Sequence, residues 1–143
     1  MTIKYYIDTS VWLNLFKKEG NPEKGVPYWE IAKDFIEKAR LSEKHEIFYS
    51  GFILKELSFK LEESKYREKI EFFKRELKYA RATKEDYFLA RRLESTSKYN
   101  ISFIDCIHTA ICKRLGCILI TRDKKLLEFA NNYILAKRPE ELL

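Results

Sequence analysis

The chain has 143 residues, 45% of them hydrophobic and 35% charged. That apolar mass excludes a disordered tail and fits one domain over residues 1–143, while no apolar run approaches the roughly 20 residues of a membrane span. The net charge of +6 is compatible with a nucleic-acid partner and equally with a charged partner protein.

Strand patterns alternate with helix patterns, which predicts an α/β fold around a parallel sheet. Ile3 to Ile7 is a short β-rich run, followed at once by a helix pattern from Ser10 to Lys18. After the turn-rich stretch from Gly20 to Gly25, residues Tyr28, Ala32, Phe35, Ile36 and Ala39 share one helical face. Ile47 to Tyr49 reads as the second strand, and Ser50 is placed to cap a helix reaching about Glu63. Tyr66, Ile70, Phe73 and Leu77 mark a fourth helix. Lys78 to Arg81 forms a short edge strand, and Thr83 caps a helix that ends near Ser97. Ser102 to Leu115 is the strongest helix pattern, closed by Gly116. Cys117 to Ile120 is continuously apolar, as expected of a strand buried on both faces. A short helix from Asp123 and a last strand over Tyr133 to Ala136 complete the order.

The residues able to carry chemistry are acids. Asp8 follows the first strand and Asp123 lies three residues beyond the buried one, and open parallel sheets bind ligands beyond the carboxyl ends of their strands. Asp105 falls at the margin of an apolar helix face beside His108 and Cys112. An unpaired carboxylate there is costly, and a metal ion is one way to compensate it. Glu56 emerges between Phe52 and Phe59. Asp8, Glu56, Asp105 and Asp123 lie 48, 49 and 18 residues apart, so no single helix places them together. Gathered by the fold, they make a hard oxygen site for Mg²⁺ or Mn²⁺ that can activate water and neutralise phosphodiester charge. Each acid alone also has an ordinary reading. Asp8 (or Ser10) and Asp123 can cap helices, Asp105 stands where a capping-box acid would follow Ser102, and Glu56 has Lys60 at i+4.

Taken in order, four segments resemble the motifs of the PIN-domain family of metal-dependent nucleases, particularly the VapC-type toxin ribonucleases. They are Tyr6 to Val11, Ser50 to Leu57, Ile101 to Ala110 and Leu119 to Asp123, and the resemblance extends from Ile3 to Leu142. It implies a three-layer α/β/α sandwich with a central, mostly parallel sheet. It implies Asp8, Glu56, Asp105 and Asp123 as the catalytic, metal-holding acids, with Thr9, Ser10 and Thr121 as hydroxyl supports. The function implied is a divalent-metal-dependent endoribonuclease using Mg²⁺ or Mn²⁺ on RNA, the toxin of a toxin–antitoxin pair, with a cognate antitoxin and a homodimeric state. The alternative is a non-catalytic PIN-like module that binds RNA or a partner protein. Lys125 and Leu126 stand where many relatives carry a further Asp and a Phe. With Arg122 and Lys124, Lys125 is expected either to contact RNA phosphates or to form a solvated helix face.

Cys106, Cys112 and Cys117 show no C-x-x-C spacing and read as reduced thiols, which places the protein in the cytoplasm. A zinc site is set aside because Cys106 and His108 point about 200° apart on one helix. With only His45 and His108 in the chain, a histidine base has little support. His108 reads as a core histidine, or as a support to Asp105 one turn before it.

Overall fold

Five strands and seven helices alternate along residues 2–143, the part of the chain that the computed structural model describes. In chain order they are β1 (Ile3–Ile7), α1 (Thr9–Phe16), α2 (Tyr28–Leu41), β2 (His45–Tyr49), α3 (Gly51–Lys60), α4 (Glu63–Glu76) and β3 (Lys78–Tyr79). Then follow α5 (Lys84–Thr96), α6 (Phe103–Leu115), β4 (Ile118–Ile120), α7 (Lys124–Ala130) and β5 (Ala136–Lys137). Short 3-10 turns cover Pro22–Lys24 and Pro139–Leu142.

All five strands are parallel, in the order β3-β2-β1-β4-β5. The chain builds outward from β1 through β2 to β3, then crosses back to lay β4 against the other side of β1. With right-handed crossovers, α1 to α4 cover one face and α5 to α7 the other. The alternation along β1 agrees: Tyr5 meets Phe35 of α2, while Tyr6 meets His108 of α6 on the opposite face. The result is a three-layer α/β/α sandwich. On the first face Trp12, Phe16 and Phe73 form an aromatic cluster, with Trp12 and Phe73 centroids 4.7 Å apart. Trp12 and Phe73 are fully buried, and burial of such a side chain contributes about 1.5–3 kcal/mol. Among the described residues no helix is long and apolar enough to cross a membrane.

Local chemistry sets the helix ends. Asp8, Ser50, Thr83, Ser102 and Asp123 are N-caps whose side chains accept a backbone N–H from the first turn. Gly116 closes α6 with φ of +71°, a left-handed conformation that glycine adopts without strain. Two boundaries differ from the sequence pattern by three residues, the others by two or fewer. The helix capped by Ser50 stops at Lys60, because Leu61 turns extended and packs its side chain against the core. The last strand is Ala136–Lys137, later than Tyr133 to Ala136. Tyr133 and Ile134 donate to the Ala130 carbonyl in a turn, and the Asn131 side chain brackets Ala136 from both sides.

Candidate active site

Strand order reverses between β1 and β4, and the segments leaving those two strands meet at the carboxyl end of the sheet. Asp8 leaves β1 and is buried. Its Oδ2 accepts from Ser10 Oγ at 2.7 Å and from Thr121 Oγ1 at 2.9 Å, with the Ser10 N–H at 3.4 Å. Thr121, fully buried beyond β4, uses the same oxygen to accept the Asp123 N–H at 3.1 Å. Ser10 Oγ likewise accepts the Arg122 N–H at 3.1 Å. Ser10 and Thr121 therefore tie the two strand ends to one carboxylate. They also leave Asp8 Oδ1 facing His108 Nε2 at 4.0 Å.

Glu56 reaches the same place from α3. Its Oε1 accepts from Thr9 Oγ1 at 2.9 Å and from His108 Nε2 at 2.8 Å. Glu56 therefore turns toward these donors, and Lys60 acts on it only as a nearby charge. Burial pushes the Glu56 carboxyl up, but His108, Thr9 and Lys60 more than reverse this, leaving it below the usual range. His108 shows the mirror image. Burial disfavours its cation, yet the Glu56 hydrogen bond and the charges of Asp8, Glu56 and Asp105 hold its pKa above the ordinary value.

Asp105 occupies the opposite flank. Its backbone N–H is capped by Ser102 Oγ at 3.2 Å, but the reciprocal bond of a capping box is not formed, so its half-buried carboxylate remains in the cleft. Burial, together with the charges of Asp8, Asp123 and Glu56 and against the pull of His108, raises its pKa to about 7. Asp123 both caps α7, accepting the Leu126 N–H at 3.2 Å, and adds its charge to this flank.

Asp105 thus feels the charge of all three other acids singled out from the sequence. Ligand atoms of Asp8, Asp105 and His108 lie within 4.8 Å of one another, a grouping able to coordinate a divalent cation. Among the described residues no Lys or Arg forms an ion pair with Asp8, Glu56, Asp105 or Asp123. A concentration of carboxylates with no Lys or Arg paired to it among the described residues is the donor chemistry that suits Mg²⁺ or Mn²⁺. His108, read from the sequence as most simply a core histidine, sits among the acids. The signal available was its place one turn after Asp105; Glu56, the partner that gives it meaning, is 52 residues away.

The three cations beside the cleft differ. Lys124 is exposed, and Lys125 is exposed with Nζ 3.3 Å from the Asn100 carbonyl. The Arg122 guanidinium forms a two-pronged pair with Glu140, both bonds 2.8 Å, and lies 4.0 Å from the Tyr28 ring centroid. Arg122 thereby fastens the C-terminal turn and α2 beneath the cleft. The three cysteines are unpaired and buried.

A PIN domain family model matches residues 5–132. No curated protein matches the sequence. Among solved structures, VapBC2 from Rickettsia felis, bound to a promoter DNA fragment, superposes with a TM-score of 0.71 at 15% identity, covering 95% of this chain and 98% of that one. A toxin–antitoxin complex from Klebsiella pneumoniae gives 0.67 at 16% identity, covering 94% and 97%. VapC20 from Mycobacterium tuberculosis, a toxin that cleaves the sarcin–ricin loop, gives 0.68 at 18% identity, covering 94% and 99%. At these identities the likeness is one of fold.

Proposed function

The chain belongs to the PIN-domain family, and from that premise we propose that it is a divalent-metal-dependent endoribonuclease, the toxin of a toxin–antitoxin pair, acting as one domain over residues 1–143. The observation that carries this reading is the convergence of acids from β1, α3, α6 and the end of β4 with no ion-paired Lys or Arg among the described residues. A silent binding module has no physical need for such a cluster, because uncompensated carboxylates destabilise the fold that holds them.

In this reading Asp8, Glu56, Asp105 and Asp123 are the catalytic acids and hold one or two Mg²⁺ or Mn²⁺ ions. When bound, the metal supplies the Lewis acidity that activates water and stabilises charge on the phosphodiester. The chain's own residues arrange this. Ser10 and Thr121 fix Asp8 through Oδ2, and Thr9 fixes Glu56 through Oε1. Lys124 and Lys125 flank the cleft as phosphate contacts, and Arg122 serves through its backbone N–H on Ser10 and its hold on Glu140. The likeness in fold to VapBC2, to a toxin–antitoxin complex and to a toxin that cleaves the sarcin–ricin loop supports a cognate antitoxin as partner, while RNA as substrate and a homodimeric state are carried over from the family resemblance.

The test is cleavage of a structured RNA by purified protein with Mn²⁺, Mg²⁺ or EDTA, beside an Asp8→Asn, Asp105→Asn double variant purified identically. Cutting that needs metal and is absent from the double variant is the expected result. Equal behaviour of the two preparations, with no inhibitor found by mass analysis, overturns the reading.

A further inference from the structure

A chain of hydrogen bonds runs from the start of α3, along the face of the sheet that α6 covers, to the acids. The Ile53 N–H donates to Ser50 Oγ at 3.4 Å, Ser50 Oγ lies 2.6 Å from Tyr6 Oη, and Tyr6 Oη lies 2.6 Å from His108 Nδ1. Beyond the ring, His108 Nε2 meets Glu56 Oε1 at 2.8 Å, the oxygen that Thr9 also reaches. Tyr6 and His108 are fully buried, so neither ring nitrogen has solvent as an alternative partner.

The direction of this chain follows from what each group can do. An ionised carboxylate only accepts, so Nε2 carries a hydrogen whether the imidazole is neutral or cationic. A neutral ring accepts the Tyr6 hydroxyl at Nδ1. A cationic ring donates from Nδ1 to Tyr6, which then donates to Ser50. In both arrangements Nε2 has no lone pair to offer a metal while the Glu56 bond stands. Asp8 Oδ1, at 4.0 Å, is too far to compete for that hydrogen.

We propose that His108 is a positioning residue, which pins the ionised Glu56 through Oε1 and leaves Oε2 for a cation, instead of ligating the cation itself. The metal in this statement rests on the nuclease reading; the hydrogen-bond assignment stands apart from it. Tyr6 and Ser50 belong to the same device, since they hold the far side of the ring.

His45 is the only other histidine, so imidazole ¹H–¹⁵N spectra of the labelled protein contain two rings to assign. In EDTA the His108 Nε2 is expected to be protonated, and to stay so when Mg²⁺, a diamagnetic ion, is added. His108→Leu is expected to weaken Mg²⁺ binding, followed by backbone amide shifts, by about 10–100-fold, as loss of a ligand-orienting group does. His108→Gln, whose side-chain N–H can still reach Glu56, is expected to recover affinity to within about threefold of wild type. RNA cleavage should follow the same order in kcat with KM unchanged. Loss of the Nε2 hydrogen on adding Mg²⁺ would make His108 a ligand and overturn the proposal. So would a folded His108→Leu variant that binds Mg²⁺ like wild type. If that variant does not fold, Tyr6→Phe replaces it. A His108 ring no longer held in one arrangement, with weaker Mg²⁺ binding, then supports the proposal, and unchanged binding overturns it. Absence of RNA cleavage by the wild type would remove the nuclease reading while the spectra and Mg²⁺ titration still decide the role of His108.

Discussion

On one flank of the cleft, Glu56 is met by two donors, Thr9 and His108, and its carboxyl lies below the usual range. On the other, the Asp105 carboxylate receives no hydrogen bond among the described residues, and burial together with the like charges of Asp8, Asp123 and Glu56 raises its pKa to about 7. Both are half-buried acids on helices that cross the same sheet end. The difference lies in what surrounds them, and it divides the labour of the cleft. On the Glu56 flank side-chain donors satisfy Oε1, whereas the Asp105 flank stores the repulsion that a cation would relieve.

Removing the acid on the strained flank should have the largest effect. Asp105→Asn is expected to lower RNA cleavage by about 10²–10³-fold while making the metal-free protein more stable. An unfolded aspartate titrates near 3.9, so between about pH 4 and the native value near 7 the native state binds more protons than the unfolded one. Stability of the metal-free wild type therefore falls as pH rises through that window, and levels above it once Asp105 is ionised in both states. His108, also held above its ordinary value, extends the same slope past 6.5. At pH 8 in EDTA, urea unfolding of Asp105→Asn should show a gain of about 2–4 kcal/mol and a flattened pH dependence.

Supplying a cation should do by binding what that substitution does by deletion. Mg²⁺ at about 100 times its Kd is expected to stabilise the wild type by about 2.7 kcal/mol, reversed by EDTA. The Asp8→Asn, Asp105→Asn double variant should show no such shift in thermal scans. A wild type indifferent to Mg²⁺ and Mn²⁺ would break the comparison at its root.

Thr121→Val tests the seam between the flanks. It keeps the shape but removes the hydroxyl that donates to Asp8 and accepts from the Asp123 N–H, and should cost about 1–3 kcal/mol in urea unfolding.

The smallest effect sharpens the contrast most. Glu56→Gln should destabilise the metal-free protein at neutral pH by about 1 kcal/mol, the size of a charge-assisted hydrogen bond reduced to a neutral one. Because the native Glu56 pKa is lowered, its contribution is present above the unfolded value near 4.3 and is lost as pH falls through the native one. The penalty should therefore vanish in acid. Opposite signs for Asp105→Asn and Glu56→Gln at pH 8 are the signature of the two flanks, and equal signs would refute it.

Much of this architecture was legible in the linear order of residues. The β-rich run Ile3 to Ile7, the caps Ser50, Thr83, Ser102 and Asp123, and the left-handed Gly116 are decided within a few residues of themselves. Asp8 and Asp123 could be singled out because a parallel sheet offers its strand ends to ligands. The last strand was misplaced because Tyr133 and Ile134 are apolar, and apolarity does not distinguish a strand from a turn tucked under a helix end.

Periodicity, capping and residue type are local properties, and they suffice for the order and alternation of the elements and for the acids that the fold has available. How each acid is held depends instead on contacts between distant parts of the chain. Glu56 finds Thr9 and His108 at 47 and 52 residues' distance, Asp8 finds Thr121 at 113, and Arg122 is drawn to Glu140 and Tyr28. Hydrogen bonds and charge interactions fall off steeply with distance, so the protonation and orientation of these groups are set by neighbours in space that lie far apart along the chain.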